Sequence, residues 1–242
     1  MFVADSGEQN LPAILLVHGG GVAGWMWSAE VARLRSRYRT IVPDLPGHDR
    51  SSDVPFTTIP RIADALADLL GDERASVVGF SLGAQIALQL ASTRPDLVER
   101  VTVVSALAEG APLPRANRAL VSAAAPLARR TWFARLQARS LFVPEALADD
   151  YVRTSRLLSR EDLLALTDAN AAFRTPEGWP AFPGPSLLMM GEREPRALRD
   201  GMRRLHAAQP RSRLVVHESA GHGIALQHPD WFHERIDEWL GA

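Results

Sequence analysis

The stretch from Ala75 to Leu88, Ala-Ser-Val-Val-Gly-Phe-Ser-Leu-Gly-Ala-Gln-Ile-Ala-Leu, constrains this chain more than any other. A short apolar strand over Ala75–Val78 gives way to small and aliphatic residues that suit a helix starting at or just after Ser81. Between them lies Gly79-Phe80-Ser81-Leu82-Gly83, a G-x-S-x-G. That pattern suits a serine on a sharp, strained strand-to-helix turn, with its hydroxyl presented at the C-terminal end of the strand. Such a turn leaves no room for side chains two positions either side of the serine, which gives both glycines a steric reason. The helix start beneath it adds unpaired N–H groups and a positive dipole end, both favourable to a developing anion.

The rest of the chain alternates in the same way. Leu11–Val17 is a continuous apolar run ending in His18-Gly-Gly-Gly21, as a buried parallel strand would. Helical spacing follows from Trp25 to Arg37, a strand over Arg39–Asp44, a helix over Ile62–Leu70 and a further strand over Arg100–Ser105. Strand character resumes at Pro185–Met190 and Arg213–His217, and a helix over Asp230–Leu240 closes the chain. The fold expected is therefore α/β, a mostly parallel doubly wound sheet. The N-terminal region before Leu11 is short and predicts a single strand there. From 108 to 180 the alternation stops and only helical segments follow, so the expected division is a core over 1–107, an inserted helical cap over 108–180, and the rest of the core over 181–242. Ligands of such sheets gather at the carboxyl ends of the strands, where His18, Asp44 and Ser81 all fall.

Two absences narrow the chemistry. All 27 Lys+Arg residues are arginine, which excludes a Schiff-base lysine, a P-loop lysine and a Ser–Lys dyad. With no cysteine there is no disulfide, no thiolate nucleophile and no cysteine-held metal. A net charge of −1 without a basic run gives no reason to expect nucleic acid or an anionic membrane as partner. No run approaches the roughly 20 apolar residues of a spanning helix, and Met1-Phe-Val-Ala-Asp-Ser-Gly-Glu has no basic leader, so a cytoplasmic location is expected.

A serine hydroxyl needs an adjacent base to act as nucleophile at neutral pH. Of the seven histidines, His222 is best placed, in the Gly-flanked loop Ala220-Gly-His-Gly223 just after the final strand. Its imidazole in turn needs an acceptor for its far nitrogen. Glu194, three residues past Gly191 at the end of another strand, can supply it, giving the chain order serine, acid, histidine. Glu192 and Glu109 also follow strands and are alternative acids.

These residues resemble the α/β-hydrolase family over nearly the whole chain. The resemblance is carried by Leu-Val-His18-Gly-Gly with Trp27 nine positions on, Pro-Asp44-Leu-Pro-Gly47, the serine turn, Met-Gly191-Glu-Arg-Glu194-Pro and Ala-Gly-His222. It implies Ser81 as nucleophile, His222 as base and Glu194 as acid, in a hydrolase of carboxylic esters or related small acyl compounds that uses no cofactor and no metal. It implies an oxyanion hole from the backbone N–H groups of Leu82 and Gly20, with Gly21 as the alternative to Gly20. Lactone or carbon–carbon hydrolysis, cofactor-free haloperoxidase or perhydrolase chemistry and cyanohydrin cleavage use the same triad. This chain departs from the family pattern in having glutamate at the acid position, where aspartate is commoner, and Asp49 where glycine is commoner. Trp25, Phe80, Trp132 and Phe133, with Phe142 and Leu157, are the expected substrate-pocket lining.

Two rival readings have their own residues. Gly19-Gly-Gly-Val-Ala-Gly24 is a literal G-x-G-x-x-G after a strand, and Asp44 ends the next strand, as a dinucleotide-binding oxidoreductase would have it. Trp25 and Trp27 are bulky where that motif needs close helix–strand packing, and the reading leaves Ser81, Glu194 and His222 without a role. His217-Glu-Ser-Ala-Gly-His222 misses the zinc-protease spacing by one residue. A ligand-binding receptor has no use for an assembled triad, although a fold alone does not dictate function. The remaining histidines, among them His18, His48, His206, His228 and His233, are expected to brace loops or meet solvent, and Asp44 to hold its loop.

Overall fold

The computed structural model describes residues 1–110 and 114–241; three residues of the expected insertion, 111–113, lie outside the described residues. Seven strands form one sheet: β1 (Val3–Asp5), β2 (Ala13–Val17), β3 (Arg39–Pro43), β4 (Ala75–Phe80), β5 (Val98–Val104), β6 (Ser186–Gly191) and β7 (Arg213–His217). Their order across the sheet is β1-β3-β2-β4-β5-β6-β7. All neighbours run parallel except β1, the single N-terminal strand, which lies antiparallel on β3.

The apolar runs are continuous because both faces of the sheet are covered. In β2, Ala13, Leu15 and Val17 point into a core shared with Leu66 and Ile86, whereas Ile14 and Leu16 point into one built with Trp27, Leu34, Phe232 and Ile236. The first face is covered by α2 (Ile59–Leu70), α3 (Leu82–Thr93) and α8 (Arg196–Ala208), the second by α1 (Ser28–Leu34) and α10 (Pro229–Leu240). A short α9 (Ile224–Gln227) precedes α10. Helix α2 starts three residues earlier than its apolar spacing predicts, because the Thr58 hydroxyl accepts from Arg61 N at 3.4 Å and Pro60 suits the first turn. Strand β4 runs two residues further than expected, since Gly79 and Phe80 still pair with Val103 and Val104.

Between β5 and β6 the chain leaves the sheet and forms α4 (Pro114–Ala128), α5 (Thr131–Ser140), α6 (Ala148–Leu157) and α7 (Arg160–Ala172). The ends of this excursion are joined by a bridge between Glu109 and Arg174 and by Thr175 N donating to Ala108 O at 2.8 Å. Three polar contacts tie it to the loops at the strand ends. Arg153 donates from Nε and Nη2 to the two Asp49 carboxylate oxygens, each at 2.8 Å. Phe56 N donates to Asp162 at 2.8 Å, and Trp25 Nε1 to the Thr154 hydroxyl at 2.9 Å. Asp49, the departure noted in sequence, thus anchors the inserted helices with a buried carboxylate. Among the described residues no helix is long and apolar enough to cross a membrane.

Candidate active site

Ser81 sits at φ 53° and ψ −111°, a strained conformation for a residue other than glycine, at the junction of β4 and α3. Its N–H donates to Val104 O at 2.8 Å, and its carbonyl accepts from Ala84 N and Gln85 N. The flanking glycines answer to crowding. A Cβ on Gly79 would lie 2.2 Å from Gly83 O, and one on Gly83 would lie 2.2 Å from Val17 O. The helix start is therefore pressed against the end of β2, where the Gly19–Gly21 loop begins.

The loop after β7 brings His222 over this turn. Gly221 N donates to the Gln227 side chain at 2.8 Å, and the imidazole Nε2 accepts from the Ser81 hydroxyl at 3.0 Å. Phe80 supports the ring from below, its centroid 5.2 Å away. Behind His222 lies Glu194, whose longer side chain folds back onto its own turn. One carboxylate oxygen accepts from Gly191 N at 2.9 Å and from the Ser105 hydroxyl at 2.6 Å. The other faces His222 Nδ1 at 3.7 Å, and both of these atoms are buried with no partner among the described residues. Catalytic hydrogen bonds are often long in this way before substrate is bound. The alternative acids are engaged elsewhere: Glu192 pairs with Arg199 at 2.8 Å, and Glu109 is largely exposed beside Arg204 at 3.8 Å.

Neither Gly20 N nor Leu82 N donates to another group among the described residues. The two residues adjoin, since a Cβ on Gly20 would meet Leu82 Cδ2 at 3.8 Å. Gly21 is different. Its N–H is taken by His48 Nε2 at 3.1 Å. His48 Nδ1 meets Pro46 O at 2.9 Å, and His18 likewise bridges Gly19 O at 2.7 Å and Leu45 N at 2.8 Å. Two buried imidazoles thus fasten the glycine loop to the β3 loop. The role of His48 was not legible from its place in sequence, because its partner lies 27 residues away.

Burial holds both imidazoles below the ordinary histidine value of 6.5, His18 well below it with the neighbouring His48 adding to the effect. Their folded-state pKa is depressed, so the stability they contribute is present above the unfolded value and is lost as pH falls through 6.5 and below. Glu30, pushed up by burial beside His233, acts in the opposite sense. Urea unfolding at pH 7.5 and 5.5 is therefore expected to show less acid destabilisation in His48→Gln than in the unmodified protein. An equal loss in both would remove His48 from this account.

A cavity of about 310 Å³ opens at Ser81 and His222, bounded also by Gln85, Leu107, Asn170 and Leu198. A second, of about 320 Å³, lies between the Gly20–Gly21 loop and the inserted helices and shares Asn117 and Asn170 with the first. Its lining mixes Gln137, Ser155, Ser159, Arg160 and Thr167 with Leu141, Leu158, Leu163 and Leu166, so polar groups stand among the apolar ones that the sequence suggested. The expected aromatic lining is placed elsewhere. Trp132 is 63% exposed on the outer surface of α5 with Phe133 packed edge-on against it, and Phe142 and Leu157 are also exposed. Long apolar side chains on a two-faced inserted helix turned outward here, a choice that helical spacing leaves undecided. Trp25 lies against Tyr151 and braces α6; Phe80 lies against the His222 ring and against Gly19, where an added Cβ would meet its Cδ1 at 2.8 Å.

Other residues take structural places. The Asp44 carboxylate accepts from Gly24 N at 2.8 Å and Arg50 Nε at 2.6 Å, and its side chain is fully buried, out of reach of a ribose. His233 is buried and hydrogen-bonded to Glu30, joining α10 to α1, where a solvated or locally satisfied ring was expected. His206 meets the Ser212 hydroxyl at 2.8 Å, and His228 stacks on His217. Ser105, with φ 58° at the end of β5, is a site residue that sequence reasoning missed. It marks the end of a strand in sequence, and its approach to Glu194 follows from β5 lying beside β6.

Comparison with known proteins agrees with this architecture. A pimeloyl-[acyl-carrier protein] methyl ester esterase of Aeromonas hydrophila subsp. hydrophila is 29% identical, with 95% of this chain and 96% of that protein aligned. The esterase of that name from Nitrosomonas europaea is 34% identical over 40% of this chain and 38% of its own length. The chain spans about a third of the length of the curated relatives it first matches, such as an uncharacterised Mycobacterium tuberculosis protein of which 30% is covered. Among solved structures, a thermophilic esterase from Thermogutta terrifontis superimposes with a TM-score of 0.79 at 25% identity, over 99% of this chain and 92% of that one. An enol-lactonase from Burkholderia xenovorans LB400 gives a TM-score of 0.82 at 23% identity, covering 100% of this chain and 96% of that one. The profile of the alpha/beta hydrolase family matches residues 14–235, and on that match and this fold the chain belongs to the alpha/beta hydrolase family.

Proposed function

We propose that this protein is a serine hydrolase that cleaves a carboxylic ester or related small acyl compound through an acyl-serine intermediate. The observation that carries the reading is the Ser81 hydroxyl at 3.0 Å from His222 Nε2, with the Glu194 carboxylate behind the ring. Ser81 Oγ attacks the carbonyl carbon while His222 Nε2 takes its proton, and Glu194 stabilises the imidazolium. The carbonyl oxygen becomes an oxyanion held by the N–H groups of Gly20 and Leu82, each such donor being worth about 10²–10³ in rate. Collapse expels the alcohol, which receives the proton from His222. Water then attacks the acyl-serine by the same route and releases the acid. Helices α4–α7 act as a cap that shapes the acyl and alcohol sites. The esterase names of the relatives accord with this chemistry, and no step needs a metal or an organic cofactor.

The test is direct. The protein is expected to hydrolyse p-nitrophenyl acetate and to be labelled by a fluorophosphonate on Ser81, with both lost in Ser81→Ala. Labelling that persists in Ser81→Ala would move the nucleophile elsewhere.

A further inference from the structure

Gln85 lies one helical turn beyond Ser81 on α3, and its backbone N–H donates to Ser81 O at 3.2 Å. Residues four apart share a helix face, and long helical side chains lean back toward the N-terminus, here toward the serine. The Gln85 side chain lines the cavity that opens at Ser81 and His222. It is 1% exposed, yet neither its carbonyl oxygen nor its amide nitrogen has a partner among the described residues. A buried carboxamide without a partner is costly and uncommon, since buried polar groups are almost always hydrogen-bonded. A buried glutamine at this place gains nothing from packing that leucine or methionine would not supply.

Asn117 and Asn170 bring two more carboxamides to the same cavity from the inserted helices. Among the described side chains that line it, His222 is the one titratable group. A free carboxylate in this cavity would meet no guanidinium, since Arg160 lines only the neighbouring one, and burying an uncompensated charge is far more costly than burying a neutral polar group. The chemistry presented to a substrate is thus neutral, with both donors and acceptors.

We infer that Gln85 is a specificity-determining residue whose carboxamide hydrogen-bonds a neutral oxygen function, a ketone, hydroxyl or amide, carried on the substrate a few bonds from the carbonyl that Ser81 attacks. The preferred substrates are accordingly small oxygenated acyl esters in place of simple alkyl esters. This inference rests on the hydrolase reading of Ser81.

The experiment compares kcat/KM for p-nitrophenyl 4-oxopentanoate and p-nitrophenyl pentanoate, which differ by one carbonyl in place of one methylene. The p-nitrophenyl half-ester of succinic acid serves as the charged probe. The unmodified protein is expected to favour the oxo ester over the pentanoate by about tenfold or more, as a buried hydrogen-bonding group does when its partner is missing from the competing substrate. The charged half-ester is expected to be the poorest of the three. In Gln85→Leu, and in Gln85→Met as a second apolar variant of similar size, the oxo-to-pentanoate ratio is expected to fall to about one, with circular dichroism reporting the fold. An unmodified protein with no preference for the oxo ester, or a ratio unchanged in both folded variants, would overturn the subsite alone. Preference for the charged half-ester would overturn its neutral character. Failure of the unmodified protein to turn over any of the three would overturn the hydrolase reading and the subsite with it.

Discussion

His222→Ala is expected to lower kcat for p-nitrophenyl acetate by about 10⁵-fold, and adding Ser81→Ala to that variant to cost little more. The reason lies in the single proton that Ser81 Oγ and His222 Nε2 share across 3.0 Å. Without the imidazole the hydroxyl keeps its proton and the nucleophile is lost as fully as if the serine were gone. On the proposed mechanism, what survives is the contribution of the Gly20 and Leu82 N–H groups and of substrate binding, about 10³–10⁴ over water. Steady-state kinetics on the two single variants and the double variant measures this. Additive losses would mean that the two side chains act separately, contrary to the mechanism.

Glu194→Gln belongs to the same unit and is expected to lower kcat by about 10³–10⁴-fold. The amide can still accept from Gly191 N and Ser105, but it offers His222 no negative charge and can hold the wrong tautomer. A variant with unchanged kcat would place the acid at another residue.

The second large effect concerns the fold itself. Gly83→Ala is expected to destabilise the protein by more than about 4 kcal/mol, out of the roughly 5–15 kcal/mol that holds a typical domain together. The added methyl carbon would sit 2.2 Å from Val17 O and 2.5 Å from His18 O. Both are backbone atoms at the end of a buried central strand, so neither can swing aside as a flexible side chain would. To admit the methyl group, α3 must lift away from β2. Gly20→Ala is the control, since its methyl group would meet only the Leu82 side chain at 3.8 Å, an ordinary contact. Urea unfolding of the two variants should separate them clearly. A Gly83→Ala protein as stable as Gly20→Ala would show that the close approach at this turn is not what the glycine serves.

What could be read directly from the chain was whatever depends on neighbours close in sequence. The strand–serine–helix turn declares itself because the glycines at 79 and 83 and the apolar runs around them act within a few residues of Ser81. The parallel sheet followed from uninterrupted apolar strands, which water on either face would not permit. His222 and Glu194 were legible as residues just past strand ends, where such a sheet collects its reactive groups.

What tertiary structure supplies is the partner that distinguishes near-equivalent neighbours. Gly20 is separated from Gly21 because His48, from the loop after β3, takes the Gly21 N–H. Glu194 is separated from Glu192 because its carboxylate is held by Ser105, 89 residues away on the adjacent strand, while Glu192 turns to Arg199. Polar side chains enter the cavity lining and Trp132 faces outward because the seating of the inserted helices depends on contacts such as Arg153 with Asp49, 104 residues apart. Local patterning encodes which backbone conformation a segment prefers, but the partner of a buried polar atom is set by which strands and loops become neighbours. That is a property of the packed sheet, to which residues distant in sequence contribute together.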